Sequence, residues 1–119
     1  MPRIDIEEIV EQRLEIIQTE TPGAMTKYDV EELGDIEWGV ITVTDEEGRA
    51  LCVEFIESAE SLSRPEALDQ YNEAAEACGR VLVIVPDRAR ERAADLLFRG
   101  SNPAVELASY GVVGISILA

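Results

Sequence analysis

The sequence predicts an α/β fold: one mixed β-sheet flanked by helices, in the order α-β-β-(β)-α-β-α-β. Three observations carry this. Two apolar segments, 34–44 and 50–57, flank Asp45-Glu46-Glu47-Gly48, a turn composition, and so read as a hairpin. Val81-Leu82-Val83-Ile84-Val85 is a continuous apolar run, the pattern of a strand covered on both faces. Segments of helical period precede the hairpin and follow it. A crossover helix between the hairpin and Val81 gives a right-handed unit with helices on both faces.

Each element has its own warrant. Over 5–19, Ile6, Ile9, Val10, Leu14 and Ile17 recur at helical spacing, while Glu7, Glu8, Glu11 and Glu15 point elsewhere. Asp5 is a candidate N-cap with Glu8 three residues on, and Thr21-Pro22-Gly23 ends the helix. Met25 to Val30 reads as a short strand or a loop. Ser63, Pro65 and Glu66 form a Ser-x-x-Glu start for a helix that carries Leu68, Tyr71, Ala75 and Cys78 on one face and stops at Gly79. Pro86-Asp87 ends the Val81 strand, with Asp87 as cap of a helix that turns Ala89, Ala93, Leu96 and Leu97 inward and ends at Gly100. Ser101-Asn102-Pro103 then starts a short helix to about Ser109, and Val112 to Leu118 reads as a last strand, an edge open to dimerisation.

Composition narrows the chemistry. A chain of 119 residues, 46% of them hydrophobic, suits one globular domain. No run approaches the roughly 20 apolar residues of a membrane span, so no membrane partner is expected. The start Met1-Pro2-Arg3-Ile4-Asp5 is unlike a signal peptide, so the cytoplasm is the expected place. Cys52 and Cys78 share no metal-type spacing and read as buried reduced thiols. The absence of histidine excludes Ser-His-Asp and Cys-His catalysis and imidazole zinc sites. Any metal would meet carboxylates and carbonyls, which favours magnesium, manganese or calcium.

The net charge is −15, and Lys27 is the only lysine among ten bases. Such a surface repels phosphate backbones and disfavours nucleic acid as partner. It fits a salt-loving or acid-adapted host, or a basic protein partner. Molar salt screens the repulsion within about 3 Å.

The residues with chemical potential are the strand acids. Asp35 and Glu37 open the first hairpin strand, and Glu54 lies among Val53, Phe55 and Ile56 in the second. A carboxylate in that company is costly to bury unless something binds it. Bland readings stand beside this: Glu54 on a solvated face or paired with an arginine, Asp35 and Glu37 as exposed alternates of Ile36 and Trp38, Gln70 on a helix surface, and Trp38 and Tyr71 in the core. Arg88, Arg90, Arg92 and Arg99 are interleaved by Glu91 and Asp95, which favours intrahelical ion pairs.

The element order together with Gly34-Asp35-Ile36-Glu37 and Val53-Glu54-Phe55-Ile56 resembles the PD-(D/E)XK, or restriction-endonuclease-like, superfamily, whose core runs α-β-β-β-α-β; archaeal resolvase-like and restriction-like members are the nearest in kind. The resemblance covers about residues 5 to 86. It implies a domain with Glu37 in place of the metal-binding aspartate, Glu54 as the second acid, Gln70 or Tyr71 as the helix residue of some branches, and Glu8 (or Glu7 or Glu11) joining the metal shell. It further implies magnesium or manganese, held by Glu37, Glu54 and Glu8, that polarises a phosphodiester and activates water. The motif lysine that steadies developing charge is replaced by Ile56. Lys27 reaches in only if 24–30 folds over the hairpin; Arg64 and Arg80 are the other cations, and arginine carries protons poorly. A tight turn at 45–48 also puts Glu54 opposite Val40, with Glu37 about 10 Å further along unless a bulge at Gly39 intervenes. The expected function is therefore a catalytically inactive nuclease-like domain serving as a binding or regulatory subunit with a protein partner or as a homodimer. The alternative is a magnesium- or manganese-dependent nuclease using Glu37 and Glu54.

Overall fold

A five-stranded mixed sheet in the order β1-β2-β3-β4-β5 organises the protein. The structure is a computed structural model and describes residues 4–117. Met1 to Arg3 and Leu118, on which the reading of the chain start and the end of the expected last strand fall, lie outside the described residues. The elements are α1 (Ile6–Glu20), β1 (Met25–Leu33), β2 (Ile36–Thr44), β3 (Ala50–Ile56), α2 (Ala67–Cys78), β4 (Val81–Val85), α3 (Arg90–Phe98), β5 (Val105–Ser109) and α4 (Tyr110–Val113). Single 3₁₀ turns at Ser61–Ser63 and Asp87–Ala89 precede α2 and α3. Strands β1, β2 and β3 form an antiparallel meander; β4 and β5 run parallel to β3.

Alternation along β3 divides the core. Cys52 and Ile56 turn to one face, where Ile6, Ile9, Val10 and Ile17 of α1 cover them together with Tyr110 and Ile115. Phe55 turns to the other, where Tyr71 and Ala75 of α2 and Ala93 of α3 pack on Val81, Val83 and Val85. The Val81 run is thus covered on both sides, as an unbroken apolar strand requires. Asp5 caps α1, accepting from the Glu8 N–H at 3.4 Å.

Several elements differ from the sequence reading. Met25–Leu33 is a full strand, joined to β2 by the two-residue turn Gly34-Asp35, in which Gly34 takes φ 63°. The irregularity in the β2–β3 ladder lies between Val43 and Thr44 and not at Gly39, so Glu54 stands opposite Ile41 and not Val40. Helix α2 begins at Ala67 without a side-chain cap, because Ser61 to Ser63 forms its own 3₁₀ turn in which Ser58 and Ser61 cap each other's N–H groups. Asp87 does not cap α3; its Oδ1 accepts from the Gly111 N–H at 2.8 Å.

The largest correction is at the C-terminal end. The segment expected as a short helix to Ser109 is strand β5 from Val105, because Asn102 turns the chain by accepting from Ala104 N–H at 2.9 Å and is itself held by Asn72 at 2.7 Å. The expected strand from Val112 is instead the end of α4, stopped by Gly114 at φ 88°. Buried Tyr110 anchors that helix, so the sheet edges are β1 and β5.

Candidate functional site

The sheet face beneath α1 holds Glu54, one of two buried acids among the described residues. Arg13 of α1 meets it as a fork: Nε donates to Oε1 at 2.6 Å and Nη2 to Oε2 at 2.9 Å. The side chains are only 9% and 6% exposed. Burial works to lower the Arg13 pKa, but its hydrogen bonds and attraction to Glu54 outweigh that and raise it. A guanidinium matches a carboxylate in this two-point geometry better than any other side chain. Both Glu54 oxygens are committed to arginine.

Ile56, where a lysine would complete the motif, is fully buried among Ile41, Ile84 and the α1 side chains. Glu37 lies on the same face of β2, four residues from Ile41, the partner of Glu54. That separation is about 13 Å along the strand. Gly39 stands between them, opposite Ile56, and a Cβ there would come within 2.4 Å of Val10 Cγ2. Gly39 therefore admits α1 to the sheet, and Val10 fills the ground between the two acids.

Asp35 and Glu37 are exposed and line a shallow cleft of about 280 Å³ with Asp5, Glu60 and Ser58. Glu54 is not part of it. Glu8 is exposed on α1. Among the described residues no three acidic or thiol side chains are grouped to hold a metal ion. Lys27, opposite Thr42, lies on the sheet face away from Glu54, and Arg80 pairs with Glu106 at 3.6 Å. The proposed catalytic and metal residues are thus dispersed: Glu54 is paired, Asp35 and Glu37 share a solvent cleft, and Gln70 serves Arg64.

The sequence reading missed the centre of the buried polar chemistry, Glu57. It follows β3 directly and turns to the α2 face, where both it and Arg64 have fully buried side chains. Glu57 Oε1 accepts from Arg64 Nη1 at 2.6 Å and from Ser61 Oγ at 2.6 Å; Oε2 accepts from Arg64 Nη2 at 3.1 Å and from Tyr71 Oη at 2.6 Å. Arg64 also donates to Gln70 Oε1 from Nε at 3.0 Å and lies 3.8 Å over the Trp38 ring. Tyr110 Oη donates to the Glu57 carbonyl, joining α4 to the same knot. Burial first, then the Glu57 charge, raises the Tyr71 and Tyr110 pKa values. Among the described residues, no buried side-chain polar atom lacks a partner. A network with every member satisfied is suited to fixing a structure. The sequence signal was Glu57 closing the apolar strand, with Ser61 four and Arg64 seven residues on.

No helix among the described residues is long and apolar enough to cross a membrane. The chain matches no family model, no curated protein and no solved structure.

Proposed function

We propose that this chain is a nuclease-like domain of the PD-(D/E)XK type that has lost catalysis and acts by binding, as a regulatory or structural subunit. The order α1-β1-β2-β3-α2-β4, with Glu37 on β2 and Glu54 on β3, supports the kinship. One observation carries the loss of catalysis: Arg13 occupies both oxygens of Glu54, the acid a metal would need. Ile56 offers no charge, and Val10 fills the space toward Glu37. The net charge of −15 turns the choice of partner from nucleic acid to protein, in a host whose salt keeps such a surface soluble. Free Cys52 and Cys78 suit a reducing cytoplasm.

The test is a manganese titration by calorimetry at low and at molar salt, on wild type and Glu54→Gln, with magnesium- and manganese-dependent cleavage of DNA and RNA assayed alongside. The expected result is no cleavage and no stoichiometric heat that depends on Glu54. One-site manganese binding lost in Glu54→Gln would mean a preserved metal site, and metal-dependent cleavage abolished in a Glu54→Gln variant that stays folded would establish the nuclease reading instead.

A further inference from the structure

Strand β1 is an edge of the sheet, nine residues long, and it has neither a proline nor a break in its register with β2. Long open edges are the places where sheets join. Its exposed apolar side chains are Met25 at 58%, Tyr28 at 41% and Leu33 at 48%. The turn that ends it fixes which backbone groups are free. In a two-residue hairpin the flanking pair, Leu33 and Ile36, is hydrogen bonded, so the odd-numbered residues of β1 turn their N–H and C=O toward β2. Thr26, Tyr28, Val30 and Glu32 turn theirs outward.

We propose that β1 pairs with β1 of a second copy, antiparallel about a two-fold axis at Asp29, joining two five-stranded sheets into one. Asp29 is the middle residue of Met25–Leu33, so this register alone uses the whole strand. It places Tyr28 opposite Val30 and Thr26 opposite Glu32 as the hydrogen-bonded pairs, and these are the residues with outward backbone groups. The closer, non-hydrogen-bonded pairs are then Met25 with Leu33 and Lys27 with Glu31. Exposed Met25 meets exposed Leu33, Tyr28 meets half-buried Val30, and the chain's single lysine meets an acid on each side of the axis. An edge guarded by charge alone would set like charges against each other along its length. Here only Asp29 meets its own copy, and that pair, with the −15 of each protomer, makes association favoured by salt.

The inference rests on the binding reading for its role and names its partner. Its test is separate from the metal titration, so either can fail alone. Sedimentation at low and molar salt is expected to show a dimer that strengthens with salt. Tyr28→Pro deletes an outward N–H and no bond to β2, so it should leave a folded monomer by circular dichroism. Lys27→Glu should weaken the dimer about tenfold or more, and Lys27→Glu with Glu31→Lys should restore it. With a mild oxidant added, Asp29→Cys should form a disulfide between copies through the axis, where Cα atoms stand about 4.5 Å apart. A wild-type monomer at every salt concentration overturns the proposal. So does a dimer indifferent to Tyr28→Pro, or a charge swap that fails to restore pairing.

Discussion

Removing either partner of the Arg13–Glu54 pair leaves a charge stranded under α1. Two unit charges about 4 Å apart at an effective dielectric near 20 attract by about 4 kcal/mol. Loss of one member of a buried pair costs about 3–5 kcal/mol for the same reason. With side chains 9% and 6% exposed, solvent screens little of this. Arg13→Met and Glu54→Leu should each lower stability by about 4 kcal/mol, a large share of the roughly 5–15 kcal/mol that holds a domain together. For a chain of this length that is about 12–20 °C in melting temperature. The double variant removes both charges and fills the space with apolar atoms, so it should return to within about 1 kcal/mol of wild type or exceed it. Urea unfolding followed by the fluorescence of Trp38, the chain's one tryptophan, gives all four corners of the cycle. Single losses below about 1 kcal/mol, or losses that simply add in the double variant, would refute the reasoning. Glu54 would then be free of Arg13 and available to a ligand.

Gly39→Ala should cost about 1–3 kcal/mol, because its Cβ meets Val10 Cγ2 at 2.4 Å, and Val10→Ala in the same chain should recover part of that in urea melts. Glu57→Gln should cost about 3–5 kcal/mol by leaving the buried Arg64 charge unpaired, whereas Tyr71→Phe, which removes one hydrogen bond, should cost about 1 kcal/mol; equal losses would argue against a charge-centred network. Burial pushes the Cys52 thiol up from 9.0 to about 11. A pKa raised in the folded state means that stability is intact below pH 9 and is lost as pH rises toward 11, by about 3 kcal/mol, while the unfolded chain ionises. The raised Tyr71 and Tyr110 values extend the loss above pH 10. Urea midpoints across this range should fall in wild type, whereas in Cys52→Ala they should stay flat from pH 9 to 10 and fall only above it, where the tyrosines titrate.

What the sequence made legible was periodicity. The Ile6 to Ile17 spacing, the alternating hairpin and the Val81 run each specify burial through local geometry, and the structure contains these elements. What it hid depends on partners distant in the chain. Residues 101–109 carry a helix-start composition, yet Val105, Leu107 and Ser109 pair with β4, a preference that exists only once β4 is in place. Val112 and Val113 look like strand residues, but Tyr110 in the core and Gly111 on Asp87 draw them into α4. Glu54 offered two readings in sequence, a solvated face or an arginine partner, and Arg13 decides between them from 41 residues away. Glu57 escaped because an acid at the end of a strand ordinarily faces water; only the return of α2 and α4 encloses it.

The Glu57 knot also has consequences for assembly during synthesis. The meander of β1, β2 and β3 needs only local turns, so it can close as soon as Ile56 has emerged. Glu57 comes next, and its partners follow in turn: Ser61 and Arg64 just ahead of α2, Tyr71 within α2, and Tyr110 from 53 residues further on. Until those partners are in place, burying the Glu57 side chain beside β4 costs several kcal/mol. The group that locks the finished sheet is thus satisfied only after α2 and α4 have joined it.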